Sequence, residues 1–182
     1  MQDYTIISYA TKNQKYLDYA KRLNQFFADY NVNNHHICFY EPVSFKMEGC
    51  LIKPSFILNE LLKRQKPVLC IDVDSIINKY PYEIDKFISQ NNDFDIGFVF
   101  TPERKNIISN GIHLWNYTNN AIIFLYYWKT LCDNPKLKTL DHHRLINTYY
   151  EYQKRINIID IREYVKDWFV AQFSRNDSQL YY

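Results

Sequence analysis

The chain of 182 residues is long enough for one domain with a real core and short of two comfortable ones. Hydrophobic residues make up 47% and charged residues 23%, as expected of a chain that buries a core in water. A formal net charge of +2 with no dense Lys/Arg block argues against a dedicated nucleic-acid binder. Met1-Gln2-Asp3-Tyr4 carries no basic-then-apolar signal pattern, and no run of about 20 apolar residues is present to span a bilayer. The expectation is a cytoplasmic protein with no transmembrane segment. Cys38, Cys50, Cys70 and Cys132 show no CxxC spacing, which leaves zinc and thioredoxin-like chemistry unsupported. Cys38 and Cys70 lie in apolar strand-like runs and read as reduced, buried thiols, which suits a reducing compartment. The 17 tyrosines are spread along the whole chain, so they read as composition and not as an aromatic sugar-binding surface.

In chain order, Tyr4 to Ala10 predicts a strand, and Tyr16 to Tyr30 a helix with Leu17, Ala20, Leu23, Phe26 and Phe27 at helical spacing. Asn31 to Asn34 is a polar break before a strand at His36 to Tyr40, closed by Glu41-Pro42. Lys53-Pro54 opens a helix, with proline near the start where a missing N–H costs least. Phe56, Ile57, Leu61 and Leu62 supply its apolar face, and Lys66-Pro67 ends it. A strand at Val68-Leu69-Cys70-Ile71 runs on into Asp72-Val73-Asp74. Ile84 to Ser89 predicts a short helix and Asp95 to Phe100 a strand. Thr101 to Asn110 reads as a mobile polar loop, and Gly111 to Asn116 as another strand. Asn119 or Asn120 is placed to cap a helix carrying Ala121, Ile122, Phe124, Leu125 and Trp128. A further helix starts at Asp141, a strand is expected at Ile156 to Ile161, and a terminal helix at Arg162 to Phe173. The β-α-β-α-β rhythm of the first half predicts an α/β fold, Rossmann-like, with a mostly parallel but mixed central sheet flanked by helices. With no repeat, linker or low-complexity segment, residues 1–182 read as a single domain.

The sharpest chemical feature is the Asp72/Asp74 pair. Four apolar residues end in two carboxylates that share one face if the strand continues through them. Converging carboxylates repel unless a cation sits between them or one takes up a proton. Mg²⁺ or Mn²⁺ is the natural partner, since such ions are often held by one or two carboxylates plus substrate phosphates. Ligands of open α/β sheets bind at the carboxyl ends of strands, which is where this pair lies.

The ordered set of elements resembles the GT-A fold nucleotide-diphospho-sugar glycosyltransferases. The resembling pieces are strand–helix–strand–Lys-Pro-helix–apolar strand–DxD, with Pro81 several residues on. Ser109-Asn110-Gly111-Ile112 follows, leading through Asn116-Tyr117-Thr118 to Phe124-Leu125 and Trp128. Asp141-His142-His143-Arg144-Leu145 stands where the family has Asp-Gln-x-x-Leu. The resemblance covers roughly residues 4–150 and implies transfer of a sugar from a nucleotide-sugar donor, a UDP-sugar above all, to a hydroxyl acceptor. It implies a donor part over about 1–100 and an acceptor or catalytic part over about 101–182. Asp72 and Asp74 become the DxD ligands of Mn²⁺ or Mg²⁺, which stabilises a departing diphosphate.

The resemblance also assigns provisional roles, each beside a plainer one. Lys53 stands where the family has a phosphate-facing lysine, or is a surface lysine. Tyr9 stacks on a base or belongs to the core; it and Thr11 end the first strand. Glu41 ends the second strand, within reach of a base or ribose. Asp141 contacts the donor sugar or acts as catalytic base, or else only caps its helix. His142 and His143 diverge by about 100° on a helix, so one at most faces the site; His143 is taken as the third metal ligand. His35, His36 and His113 read as structural or surface residues, and Trp115 as core.

This chain is short for the family after the Asp141 helix and has no histidine beyond His143. Two other readings therefore stand beside the transferase: a non-catalytic nucleotide- or partner-binding relative, and a haloacid-dehalogenase-like phosphatase with Asp72 as nucleophile. The acceptor is a glycan, a lipid-linked group or a protein, and a second copy or a partner subunit is a candidate source of missing acceptor surface.

Overall fold

The structure is a computed structural model that describes residues 4–42, 46–80, 82–91, 93–101, 104–165 and 169–172. The first half follows the expected alternation: strand β1 (Thr5–Thr11), helix α1 (Gln14–Asp29), strand β2 (His35–Tyr40), helices α2 (Lys46–Leu51) and α3 (Lys53–Arg64), and strand β3 (Val68–Ile71). Strand β4 (Ser75–Ile77), helix α4 (Tyr82–Gln90), strands β5 (Ile96–Thr101) and β6 (Arg104–Trp115), and helices α5 (Asn119–Asp133) and α6 (Asp141–Tyr152) follow. Strand β7 (Ile158–Asp160), helix α7 (Arg162–Val165) and strand β8 (Phe169–Gln172) complete the order.

Six strands form one sheet in the order β2-β1-β3-β6-β5-β7. β1 is parallel to β2 and β3, β5 is parallel to β7, and β6 runs antiparallel to both β3 and β5. The period of two along each strand builds two cores. Ile6 of β1, Leu69 and Ile71 of β3, and Ile112 and Leu114 of β6 face Ala20, Leu23 and Phe27 of α1. Ile7, Val68, Cys70, Phe98 and Trp115 face Phe56, Ile57 and Leu61 of α3 and Phe124 and Trp128 of α5. Gly97 sits where β5 is squeezed between neighbours: a Cβ there would lie 2.6 Å from Ile161 Cγ2 and 3.1 Å from Leu114 Cβ.

Two buried polar groups fix the later elements. Asp95, 7% exposed, accepts from Thr118 Oγ1 (2.6 Å), Asn120 Nδ2 (3.1 Å) and Asn157 N (2.8 Å), so the start of α5 and the approach to β7 hang on one carboxylate. Arg144, 2% exposed, donates through Nη1 to the carbonyls of Leu131 and Cys132 (both 2.7 Å) and through Nη2 to that of Leu137. A guanidinium satisfies the unpaired carbonyls at the end of α5 and opposes their partial negative charge.

Several sequence expectations are corrected. β3 ends at Ile71, and Asp72 to Ser75 forms a turn closed by Ser75 N to Asp72 O at 3.0 Å, so the two aspartates do not share a strand face. The expected loop before Asn110 is instead the first half of β6, where Phe100 pairs with Ile108 across a hairpin with register shifts. Pairing with β5 overrides its polar composition. The cap of α5 is Thr118, whose hydroxyl accepts from Ala121 N at 3.2 Å; Asn119 is already helical and Asn120 serves Asp95. Asp141 is the first residue of α6 and makes no capping bond, because Leu140 holds the N-cap position with no side-chain cap. The expected terminal helix stops at Val165, and β8 pairs antiparallel with β4 in a separate two-stranded sheet. Pro81, which the resemblance invoked, lies outside the described residues.

His35 and His113 are held neutral by this packing. Burial, with a smaller push from His36, lowers the His35 pKa from 6.5 to about 3, where its ring lies 4.1 Å from Phe27. Burial and Lys53 push His113 well below its usual value. The unfolded chain therefore binds protons that the folded chain refuses between pH 6.5 and about 3, and stability falls as pH falls through that window. Urea midpoints are expected to drop between pH 7 and pH 5, and to drop less in His35→Gln.

Candidate active site

At the carboxyl ends of β1 and β3 the chain collects four charged or amide side chains from four elements. Lys53 opens α3, Asp72 follows β3, Asn110 lies within β6, and Asp141 opens α6. Lys53 Nζ pairs with Asp72 Oδ1 at 2.6 Å and donates to the Asn110 carbonyl at 2.7 Å. Asn110 Nδ2 donates to Asp141 Oδ2 at 2.5 Å. The main chain locks the same corner, since Asp72 N donates to Gly111 O at 2.9 Å. Trp128 Nε1 holds the Asp141 carbonyl at 3.1 Å, while its ring stacks on Trp115 at 6.2 Å.

Lys53 is only 3% exposed and sits at the N-terminal end of a helix, where the backbone dipole already carries positive charge. Burial alone would strip its proton. Asp72 and Asp141 overcome that and raise its pKa above the usual lysine value, so the ammonium stays charged. Burial pushes the Asp72 carboxyl up to about 6; Lys53 opposes the shift, and Asp74 and Asp141 add to it.

Asp74, in the turn before β4, is 7% exposed and has no hydrogen-bond or ion-pair partner among the described residues. The charges acting with it are Asp72 and Arg22, and Arg22 donates to the Ser75 carbonyl at 3.0 Å. Ser75 Oγ and Asn110 Oδ1 are buried with no hydrogen-bond partner in the structure. Buried carboxylate, hydroxyl and amide oxygens are donors of the kind that hard divalent ions take, although no three His, Cys, Asp or Glu ligand atoms converge here among the described residues.

The other sequence candidates divide. Tyr9 is half-buried beside the pair: its hydroxyl donates to Gly49 O at 3.2 Å, and burial with Asp72 and Asp141 raises its pKa well above the usual value. Its ring packs against Tyr40 and Phe56, at 6.1 and 5.3 Å between centroids. Thr11 ends β1 opposite Tyr40, and the exposed Glu41 pairs with Lys12 at the same sheet end. His142 turns toward β6 and meets the Ile108 carbonyl at 2.7 Å, whereas His143 is exposed. Asp72, Asp74 and His143 are not within ligand distance of one another as a three-ligand group among the described residues. Asn110 is the residue that sequence reasoning passed over. Its signal was an Asn-Gly step interrupting an apolar run, taken there only as a turn.

No protein-family model matches the sequence, and neither does any curated protein. Solved structures do match in fold. The chain is similar to a glycosyltransferase involved in the glycosylation of the major capsid of PBCV-1, at 18% identity over 95% of this chain and 94% of that one, with a TM-score of 0.65. It is similar to the apo-form glycosyltransferase GlyE of Streptococcus pneumoniae TIGR4, at 8% identity, 90% and 46% coverage and a TM-score of 0.52. The mouse xyloside xylosyltransferase 1, apo form, aligns at 11% identity, 87% and 85% coverage and a TM-score of 0.52. The mixed sheet with its flanking helices is therefore a GT-A-like glycosyltransferase fold.

The buried Lys53–Asp72 pair is expected to matter to folding as well as to any ligand. Lys53→Met removes the buried cation 2.6 Å from Asp72, and a loss of about 3 kcal/mol in unfolding free energy is expected from urea titration at pH 7.

Proposed function

We propose that the chain is a metal-dependent glycosyltransferase that moves a sugar from a UDP-sugar donor to a hydroxyl acceptor. The observation that carries the reading is Asp74: a buried carboxylate with no hydrogen-bond or ion-pair partner among the described residues, acting on Asp72 beside the Lys53–Asn110–Asp141 cluster, in a fold shared with solved glycosyltransferases. Asp72 and Asp74 would hold Mn²⁺ or Mg²⁺, and the bound ion would offset the charge that grows on a departing diphosphate. Lys53 orients Asp72 and adds fixed positive charge beside the phosphates. Tyr9, Thr11 and Glu41, at the ends of β1 and β2, line the side where a base and ribose would lie. Asp141, kept from capping its helix and held instead by Asn110, is placed to take the proton of the acceptor hydroxyl or to grip the donor sugar.

The acceptor is a hydroxyl on a glycan, a lipid-linked group or a protein, and a second copy or a partner subunit is a candidate contributor to its binding surface. None of the four cysteines forms a disulfide, and no helix among the described residues is long and apolar enough to cross a membrane. A cytoplasmic setting is part of the proposal. The fold shared with solved glycosyltransferases favours the transferase reading over the phosphatase alternative with Asp72 as nucleophile. The nucleotide-binding, non-catalytic alternative differs from the proposal only in the fate of the donor.

Calorimetry with UDP, with and without Mn²⁺, separates the readings. Binding is expected to require the metal and to weaken at least about tenfold in Asp74→Ala; binding that ignores both changes rejects the UDP-transferase reading. Asp141→Asn is expected to leave UDP–Mn²⁺ binding intact while slowing donor hydrolysis or transfer by about 10²–10⁴-fold, followed by release of UDP. Binding without any turnover in the unsubstituted chain would favour the non-catalytic reading.

A further inference from the structure

A second polar cluster lies away from this site, on the edge strand of the sheet. β2 is the outermost strand, and His36 and Cys38, two residues apart, project from one face of it. α3 lies against that face and brings Glu60 to them. Cys38 Sγ is 3.4 Å from His36 Nε2 and 4.0 Å from Glu60 Oε1, and one ligand atom from each of the three residues lies within 4.8 Å of the others. Among the described residues this is the one group of three or more His, Cys, Asp and Glu side chains that converges this closely.

The Cys38–His36 spacing is that of a coordination shell, and the Glu60 oxygen lies about half an ångström or more outside it. A tetrahedral ion with a sulfur at about 2.3 Å and nitrogen or oxygen at about 2.0–2.1 Å sets neighbouring ligand atoms about 3.5 Å apart. In the metal-free chain the Cys38 thiol donates to Glu60 Oε1, whose residue is 6% exposed, and meets the His36 ring, so hydrogen bonds already gather the three donors at one point. Glu60 is also pre-oriented. Arg64 Nε and Nη2 hold its Oε2 at 2.8 and 2.7 Å, which turns Oε1 toward Cys38. An outer partner that fixes a ligating carboxylate is how metal sites are commonly tuned.

We propose that His36, Cys38 and Glu60 form a mononuclear site for a borderline divalent ion of the Zn²⁺ class, with water in the fourth position. The donor set is one thiolate, one imidazole and one carboxylate, which suits Zn²⁺ and disfavours the harder Mg²⁺ expected at Asp72 and Asp74. Thiolate and carboxylate together neutralise the ion. Binding displaces the thiol proton to solvent, forms the sulfur–metal bond and changes no oxidation state. The occupied site would fasten the edge strand to α3, the helix whose first residue is Lys53.

Titration of the chelator-stripped chain with Co²⁺ tests this, because a cobalt–thiolate bond gives a near-ultraviolet charge-transfer band. The band is expected to saturate near a single equivalent, to vanish on adding Zn²⁺, and to be absent in Cys38→Ser. His36→Gln and Glu60→Gln are expected to weaken Zn²⁺ binding at least about tenfold. Asp74→Asn is expected to leave the band unchanged, which separates this site from the carboxylate pair. A missing band in the unsubstituted chain overturns the proposal, as does a band that persists in Cys38→Ser. If Cys38→Ser does not fold by circular dichroism, unchanged Zn²⁺ affinity in both other variants overturns it equally.

Discussion

A lysine ammonium buried at the positive end of a helix is the constraint around which this molecule is arranged. Lys53 has neither bulk water nor a favourable dipole to stabilise it, and its proton survives only because Asp72 and Asp141 lie close by. That requirement links four elements. β3 must deliver Asp72 as it ends, β6 must present the Asn110 carbonyl, and α6 must start where Asn110 can reach Asp141. A buried ion pair of this kind is weak evidence for stability in itself, since desolvation offsets much of the attraction. Its value here is positional: it fixes where Asp72 lies relative to the buried Asp74.

The remaining scaffold serves that corner. The antiparallel insertion of β6 between β3 and β5 brings Gly111 against Asp72 and places Asn110 beside Lys53. Trp128 reaches from α5 to the Asp141 carbonyl, and Arg144 ties the end of α5 to α6, so the helix carrying the candidate base is anchored at both contacts. Asp95 does the same for the start of α5. The site is thus positioned by buried, hydrogen-bonded groups on regular elements, which hold a side chain more tightly than a loop would.

Local pattern made much of this legible. Periodicity located β1, α1, β2, α3 and β3, since each buries a stripe or a face whose spacing is written in adjacent residues. Two carboxylates after an apolar run marked the end of β3, but Asp72 and Asp74 occupy a turn closed by Ser75 N to Asp72 O and do not share a strand face. Where pairing between distant segments decides, the pattern misled. The first half of β6 is polar and reads as loop until β5 supplies its partner, and β8 reads as helix until β4 does.

The sequence by itself determined the α/β class, the order of the early elements, and Lys53, Asp72, Asp74 and Asp141 as the residues with chemistry to offer. These follow from composition and short-range spacing, which act before any long-range contact forms. Only the tertiary structure decided that Lys53 pairs with Asp72, that Asn110 bridges to Asp141, that His142 turns inward in place of His143, and that Glu60 meets His36 and Cys38. Each of these joins residues from separate elements. The energy of such a contact depends on distance and burial, and neither quantity exists until the sheet has closed around it.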